Sequence, residues 1–311
     1  MGIVHNNKSE IRRDYFLNRY VIITPSRTKR PRDVVEKSEY HAKKDIFAPE
    51  NIEKDLITDH IGGQKNWHVL SLLNKYPAVS LASKKAYGTQ EVIVEHRENG
   101  IDLGHMSQEH IVKVLKMYQK RTTAIAKEKE IDYILIFKNQ GGPAGASILH
   151  SHSQIFATTH IPPDVYYELD KAQEYKLKHG TSPYGDIIEK EEQSPRHIYS
   201  DSSVVAIAPY ASSFHYEAWI FTRRQLDNIT RLNETELKSL AKAMKMILQK
   251  LADNNISYNF FMHQVVSFKE QHFYIKIQPR DSIWAGVELG SGLVINSISP
   301  EAAAKFYKDK S

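Results

Sequence analysis

The fold is decided by the stretch Asn139-Gln-Gly-Gly-Pro-Ala-Gly-Ala-Ser147-Ile-Leu-His150-Ser-His152-Ser-Gln154, in which a glycine-rich turn is followed by two histidines and a glutamine. Before the turn, the apolar run Tyr133-Ile-Leu-Ile-Phe137 predicts a buried strand. After it, Ile155-Phe-Ala predicts that a second strand continues beyond Gln154. The turn therefore joins two strands.

The second strand carries the candidate chemistry on one face. Side chains two residues apart on a strand point the same way, which places His150, His152 and Gln154 together and Ser151 and Ser153 on the opposite face. Glycines in the turn permit positive φ, and successive backbone N–H groups in such a turn form an anion-binding concavity. The combination predicts a phosphate held beside a neutral imidazole, ready for nucleophilic attack on phosphorus. By itself, a His-x-His pair on a strand is also typical of a surface or structural pair.

Composition bounds the function. The chain has 311 residues, enough for two domains or one duplicated domain, and its 41% hydrophobic content is typical of a globular protein. It has no cysteine, which excludes disulfides, thiolate nucleophiles and cysteine-based zinc sites. Without an apolar run of about 18 residues or a leader segment, we expect a cytoplasmic protein with no membrane partner.

The net charge of +5 is spread along the chain, with its densest cluster at Arg27-Thr-Lys29-Arg30-Pro-Arg32. This cluster is compatible with a nucleic-acid patch, a solvated turn or a clamp for the phosphates of a small molecule. Because the sequence lacks interleaved aromatic residues and a recognisable nucleic-acid module, we favour the small-molecule phosphate and expect no nucleic-acid partner.

The second half of the sequence repeats the first. The run Glu217-Ala-Trp-Ile-Phe-Thr222 resembles Glu91-Val-Ile-Val-Glu95, and Asn233 precedes a helical pattern as Ser107 does. Ile256-Ser-Tyr258 likewise corresponds to Ile131-Asp-Tyr133. The pattern predicts an α+β fold with antiparallel sheets backed by helices, in two related halves spanning residues 1–160 and 161–311. The second copy has Tyr274 where the first has His152, so only the first half is expected to be catalytic.

At residues 139–154 the chain resembles the active-site segment of the galactose-1-phosphate uridylyltransferases, a branch of the histidine triad superfamily. Their pattern is an asparagine, a Gly-Ala-Ser turn and His-Pro-His-x-Gln, with Ser151 here in place of the proline. The similarity extends to Asn74-Lys-Tyr76-Pro-Ala and to the tail from Trp284 onward. The resemblance implies three sets of site residues: a catalytic set of His152, Gln154, His150 and Ser147, a nucleotide- and phosphate-binding set of Arg27, Arg30, Asn74, Tyr76, Asn139, Gly145 and Ala146, and a sugar-binding set of Glu288 and Asn296. For Tyr76, a plain core position is an equally good interpretation.

The family's metal ligands are largely replaced. Where the family usually has Cys-Pro-x-Cys, this chain has Asp45-Ile-Phe-Ala48, and the third ligand, a histidine, aligns with Asn99, which leaves His150 alone of four. The family's second metal site also lacks ligands here, because Gln225 and Tyr274 occupy two of the positions where the resemblance implies histidines. One histidine and one aspartate do not make a tetrahedral site, so we predict no metal and no cofactor. A residual site formed by His96 and Asp45 is the alternative.

The resemblance implies that His152 attacks the α-phosphorus of a nucleoside diphosphate sugar and that a second phosphate attacks the nucleotidyl-histidine, in ping-pong fashion. The first hypothesis is transfer of a UMP-like group between hexose 1-phosphates. The alternatives are a phosphorylase of nucleotide sugars or dinucleoside polyphosphates, which uses inorganic phosphate, and a non-catalytic nucleotide-binding module. The expected partners are the nucleotide sugar, a sugar phosphate or inorganic phosphate, and a second copy of the chain in a homodimer.

Overall fold

The computed structural model describes residues 9–25, 44–266, 268 and 271–309. The strands in these ranges are β1 (Glu10–Arg13), β2 (Tyr20–Ile23), β3 (Ile57–Gly62), β4 (Trp67–Leu73), β5 (Gly88–Val94), β6 (Tyr133–Gln140), β7 (His152–Thr158), β8 (His197–Ser200), β9 (Val204–Ile207), β10 (Ala218–Thr222), β11 (Tyr258–Val265), β12 (Tyr274–Pro279) and β13 (Val294–Asn296). The α-helices are α1 (Gln108–Ile125), α2 (Pro163–His179), α3 (Pro183–Glu192), α4 (Glu234–Asp253), α5 (Gly286–Ser291) and α6 (Pro300–Lys308). None of the helices described is long and apolar enough to cross a bilayer.

Ten strands form one antiparallel sheet in the order β3-β4-β5-β7-β6-β11-β12-β10-β9-β8. The order is symmetric about its centre: β5, β6 and β7 occupy the positions in one half that β10, β11 and β12 occupy in the other. The halves join where β6 pairs with β11 over eight residues, from Tyr133 opposite Val265 to Gln140 opposite Tyr258. A smaller sheet contains β1, β2 and β13. The predicted α+β architecture with antiparallel sheets and helices is confirmed.

Helices α1 and α4 cover one face of the large sheet and pack against each other. Their first turns are capped by side chains, since the Ser107 side chain accepts from the backbone N–H of His110, and Asn233 forms a capping box with Glu236. Buried apolar residues recur along α1 at helical spacing, among them Ile111, Val114, Leu115 and Tyr118. These helices fill the core, which leaves the opposite face of the sheet for the site.

Two residue pairs that the sequence repeat matches between the halves, Glu91 with Glu217 and Tyr133 with Tyr258, do not occupy equivalent positions in the structure. Glu91 accepts two hydrogen bonds from Arg121 on α1, whereas Glu217 accepts from the Trp219 indole on the opposite face of the sheet. Tyr258 lies in the core beneath the helices, while Tyr133 lies in a cluster on the other side. Because a shift of one residue reverses the face on which every side chain lies, matching by residue type misaligned these strands.

The segment from Lys44 to Lys65 is rich in polar residues but contains regular structure and a buried aromatic side chain. It contains two short 3-10 helices, Pro49–Asn51 and Lys54–Leu56, and ends in the strand β3. Phe47 is buried against an apolar cluster on the face of the sheet that α1 and α4 leave open. The segment therefore covers the same face as His152.

Candidate active site

The turn after β6 depends on two glycines with positive φ. Gly141 has φ 84° and ψ 159°, a region that is essentially restricted to glycine, and a Cβ there would lie 2.2 Å from Ser257 Oγ. Gly145 is left-handed, also with φ 84°. The N–H groups of Gly145 and Ala146 donate to carbonyls within the turn, at 2.8 and 3.1 Å. The turn is therefore closed by its own backbone, and Ser147 follows it in an exposed position.

The geometry of His152 fixes which ring nitrogen is available. Its Nδ1 lies 2.8 Å from the carbonyl oxygen of His150. A carbonyl only accepts, so Nδ1 carries the proton and Nε2 keeps a lone pair. The ring is 8% exposed and packs against Phe47, with ring centroids 5.3 Å apart. Burial, and then the Lys138 ammonium, lower the pKa of the imidazole below its ordinary value, which favours the neutral nucleophile.

The His150 ring is held from both sides. Its Nδ1 lies 2.9 Å from Asp45 Oδ2, and its Nε2 lies 2.7 Å from the carbonyl oxygen of His96. The side chain has no exposed surface. His150 therefore orients the His152 ring through its backbone carbonyl, while its own ring is held by Asp45 and the carbonyl of His96.

Gln154 lies on the same face as His152 and is oriented by two neighbours. Its Oε1 accepts from Gln90 Nε2 at 2.8 Å and from Asn74 Nδ2 at 3.5 Å. Its NH2 group makes no hydrogen bond within the described ranges and can donate to a ligand. Asn74, which the family resemblance predicts to bind the nucleoside, thus lies in contact with this face. Tyr76, in contrast, is 84% exposed, which excludes a core position.

On the other face of the sheet, a buried charged network lies beneath β7. Lys138 Nζ donates to Glu95 Oε2 at 2.6 Å, to Ser151 Oγ at 3.0 Å and to the carbonyl oxygen of His152 at 3.1 Å. Ser151 Oγ and the Tyr118 hydroxyl also donate to the Glu95 carboxylate, at 2.7 and 3.2 Å. Burial raises the pKa of Glu95, but the charge of Lys138 and the hydrogen bonds from Lys138 and Ser151 together lower it further, so that the net shift of the pKa is downward.

Comparisons with known proteins agree with this geometry. The family described as galactose-1-phosphate uridyl transferase, N-terminal domain, matches residues 3–162. The chain is also 31% identical to ADP-glucose phosphorylase of Arabidopsis thaliana, over 99% of this chain and 95% of that protein. The chain belongs to the galactose-1-phosphate uridyl transferase family. It is accordingly an enzyme of nucleotidyl transfer.

One more relative and two solved structures are also similar to the chain over nearly its whole length. Galactose-1-phosphate uridylyltransferase of Thermotoga maritima is 24% identical over 96% of this chain and 98% of its own length. The crystal structure of the Arabidopsis thaliana ADP-glucose phosphorylase with bound ADP-glucose superimposes with a TM-score of 0.87 at 29% identity, covering 98% of this chain and all of that one. A uridylyltransferase structure gives 0.75 at 26% identity, covering 96% of this chain and 97% of that one.

The family resemblance also implies roles for Arg27, Arg30, Asn139, Glu288 and Asn296. Arg27 and Arg30 lie outside the described residues. Asn139 accepts from Asn259 Nδ2 at 2.8 Å and so ties β6 to β11 next to the turn. Glu288 hydrogen-bonds within the C-terminal segment, where its carboxylate accepts from the backbone N–H groups of residues 285 and 295 at 2.8 and 3.3 Å.

Asn296 is committed to the packing of the C-terminal segment. It is 1% exposed and donates to the carbonyls of Ser212 and Phe214, at 2.8 and 3.2 Å. Its Oδ1 accepts from the N–H of Ile298 at 2.9 Å. This engagement leaves Asn296 no free N–H for a sugar hydroxyl.

The donors present do not fit the family's zinc site. Within the ranges that the structure describes, no group of three or more His, Asp or Glu side chains could hold a metal ion. A structural zinc takes four ligands, and its histidine ligands must offer a lone pair. Here His150 is joined only by Asp45, and both nitrogens of its ring already contact protein oxygens. The described residues therefore do not form the family's zinc site.

Sequence reasoning missed four residues of the site: Phe47, Gln90, Glu95 and Lys138. One signal was available for the last of them, because a lysine directly after the buried run Tyr133–Phe137 requires a buried carboxylate partner. Ser151 is explained by the same network, since its hydroxyl both donates to Glu95 and accepts from Lys138, which a proline cannot do.

Proposed function

We propose that this enzyme transfers a nucleoside monophosphate from a nucleoside diphosphate sugar to a second phosphate through a covalent nucleotidyl-His152. One observation carries the proposal: the hydrogen bond from His152 Nδ1 to the His150 carbonyl, which leaves Nε2 deprotonated on the face where Gln154 presents its NH2 group. A neutral imidazole with an oriented lone pair is a competent nucleophile toward phosphorus.

In the first step, Nε2 of His152 attacks the α-phosphorus and forms an N–P bond. The bond from that phosphorus to the bridging oxygen breaks, and the sugar 1-phosphate leaves with the electron pair. In the second step, a phosphate oxygen of the acceptor attacks the same phosphorus, the N–P bond breaks, and His152 regains its lone pair. The Gln154 NH2 group donates to the phosphoryl oxygens, and a preorganised donor of this kind contributes about 3 to 4 kcal/mol when it faces developing charge.

For the acceptor, the first candidate is a hexose 1-phosphate, with UMP as the group transferred. The second candidate is inorganic phosphate, which would make the reaction a phosphorolysis of the nucleotide sugar. The similarity to ADP-glucose phosphorylase supports this candidate, with 31% identity and a TM-score of 0.87. The similarity to uridylyltransferases, with 24% identity to that of Thermotoga maritima and a TM-score of 0.75 to a solved structure, supports the first.

Intact-mass spectrometry tests the covalent step. Incubation with UDP-glucose or ADP-glucose is expected to add one nucleoside monophosphate to the protein and to release glucose 1-phosphate. The His152→Gly variant is expected to gain nothing, while His105→Gly, which removes a half-exposed histidine in the turn before α1, is expected to react like the parent protein. If neither sugar nucleotide gives an adduct, the proposal fails and a nucleotide-binding module is favoured.

The isolated adduct then identifies the acceptor. Galactose 1-phosphate is expected to remove the nucleotidyl group if the enzyme is a transferase, whereas inorganic phosphate alone is expected to remove it if the enzyme is a phosphorylase. Comparing the two rates on the same adduct separates the candidates, because the first step is common to both.

We also propose that the enzyme forms a homodimer. Large apolar side chains are exposed in the C-terminal segment, with Ile283 at 87%, Leu289 at 75% and Val287 at 47%. Exposed apolar patches of this kind favour association with a partner. Light scattering is expected to give twice the monomer mass, and the Ile283→Ser/Leu289→Ser variant is expected to give the monomer mass. A monomeric parent protein would contradict this proposal.

A further inference from the structure

Asp45 ties a separate segment to the catalytic strand. Its Oδ2 lies 2.9 Å from His150 Nδ1, and its Oδ1 accepts from the N–H of Phe47 at 3.1 Å. Its backbone oxygen accepts from Asn51 Nδ2 at 2.7 Å. One carboxylate therefore fixes both the His150 ring and the loop whose Phe47 ring covers His152.

The contacts of His150 occupy both nitrogens of its ring. One ring nitrogen faces the Asp45 carboxylate and the other faces the carbonyl of His96. The side chain is fully buried between them. Neither nitrogen is therefore open to a metal ion.

An analogous pair lies in the C-terminal half, at the position where the family's second metal set is broken. Glu168 on α2 is 8% exposed and accepts from the Tyr274 hydroxyl at 2.6 Å, the Tyr184 hydroxyl at 3.1 Å and Lys276 Nζ at 3.1 Å. The Lys276 ammonium also lies 5.1 Å from the centroid of the Trp219 ring. A protein cation thus neutralises the buried carboxylate, and it would repel a metal ion from it.

We propose that internal pairs between a carboxylate and a protein nitrogen, Asp45–His150 and Glu168–Lys276, do the structural work in this chain that metal ions do elsewhere in the family. Each pair joins a helix or loop segment to the face of the large sheet opposite α1 and α4. In each pair, a side-chain nitrogen of the protein already lies against the carboxylate that a metal ion would need as a ligand. The inference is independent of the proposed reaction.

Elemental analysis and thermal unfolding test the inference on the intact chain. Protein purified without chelator is expected to contain no stoichiometric zinc or iron, and its Tm is expected to be unchanged by EDTA, because metal sites that support a fold lose stability on chelation. About one tightly bound metal ion per chain, with a clear fall in Tm on its removal, would overturn the proposal.

Two variants test the pairs themselves. Asp45→Ala leaves the buried His150 ring without its carboxylate partner, and Lys276→Met leaves the buried Glu168 carboxylate without its cation. Each is expected to lower Tm by about 5 °C or more, with or without added Zn²⁺. Asp55→Ala and Lys190→Met, at exposed positions, serve as matched controls and are expected to change Tm little. Restoration of the Asp45→Ala or Lys276→Met variant by Zn²⁺, or a Tm equal to that of the controls, would refute the assignment. If either variant does not fold, the chelation result on the parent protein still decides.

Discussion

Substitution of Lys138 by methionine is the most direct test of the network beneath the catalytic strand. The change keeps the length of the side chain and removes its charge. Lys138 is 1% exposed and Glu95 is fully buried, so solvent does not screen their interaction. Breaking a buried pair by removing one partner costs about 3 to 5 kcal/mol, because the other charge is left uncompensated.

The structure favours the lower end of that range. After the substitution, the Glu95 carboxylate keeps two donors, the hydroxyls of Ser151 and Tyr118. We therefore expect Lys138→Met to lower the free energy of unfolding by about 3 kcal/mol. Adding Glu95→Gln removes the unpaired charge, and the double variant is expected to be more stable than Lys138→Met alone.

Urea unfolding followed by tryptophan fluorescence measures both effects. Lys120→Met is the matched control, because Lys120 pairs with Asp59 while its side chain is 55% exposed, and an exposed pair contributes at most about 1 kcal/mol. The reasoning is refuted if Lys138→Met is as stable as the control variant. It is also refuted if the two substitutions in the double variant destabilise additively.

Four further predictions follow from the site. Gly141→Ala is expected to cost more than about 2 kcal/mol in unfolding experiments, because its Cβ meets Ser257 and its backbone is restricted to glycine. Gly145→Ala is expected to cost about 1 kcal/mol, since the nearest atom to its Cβ is 3.9 Å away and only the positive φ is unfavourable; equal costs would contradict the assignment. The pKa of His152 is lowered by burial and by Lys138, so the rate of adduct formation is expected to stay constant as the pH falls somewhat below 6.5. In Lys138→Met, the fall of this rate at acid pH is expected to begin at a higher pH. The same pH dependence in Lys138→Met and in the parent protein would show that the Lys138 charge does not affect the pKa of His152. Gln90→Leu removes the donor that orients Gln154, and a loss of about 1 kcal/mol predicts a roughly fivefold slower adduct formation in single-turnover assays, with Tm little changed. An unchanged rate would show that Gln154 needs no such support. Finally, burial lowers the pKa of His272 to about 4, whereas the ring has its ordinary pKa of about 6.5 in the unfolded chain. The stabilisation from the buried neutral ring is therefore complete above pH 6.5, and the free energy of unfolding falls by about 3 kcal/mol when the pH is lowered to 4. A His272→Gln variant with the same pH dependence of urea unfolding as the parent protein would contradict this.

The sequence by itself determined the local structure and the family. The helices that follow Ser107 and Asn233, the strands on either side of the glycine turn, and the placement of His152 and Gln154 on the face opposite Ser151 were all predicted and are confirmed. These features follow from periods of 2 and 3.6 residues and from short-range hydrogen bonds, so neighbouring residues suffice to specify them.

Only the tertiary structure decided what surrounds the imidazole. Asp45 reaches His150 across 105 residues, and Lys138 meets Glu95 across 43. Such contacts depend on strand register, and a shift of one residue reverses every face, as the mismatch of Glu91 with Glu217 demonstrates. A charged side chain in an apolar strand indicates that a buried partner exists. Which residue that partner is depends on the packing of the whole sheet, because the two charges are brought together only by folding.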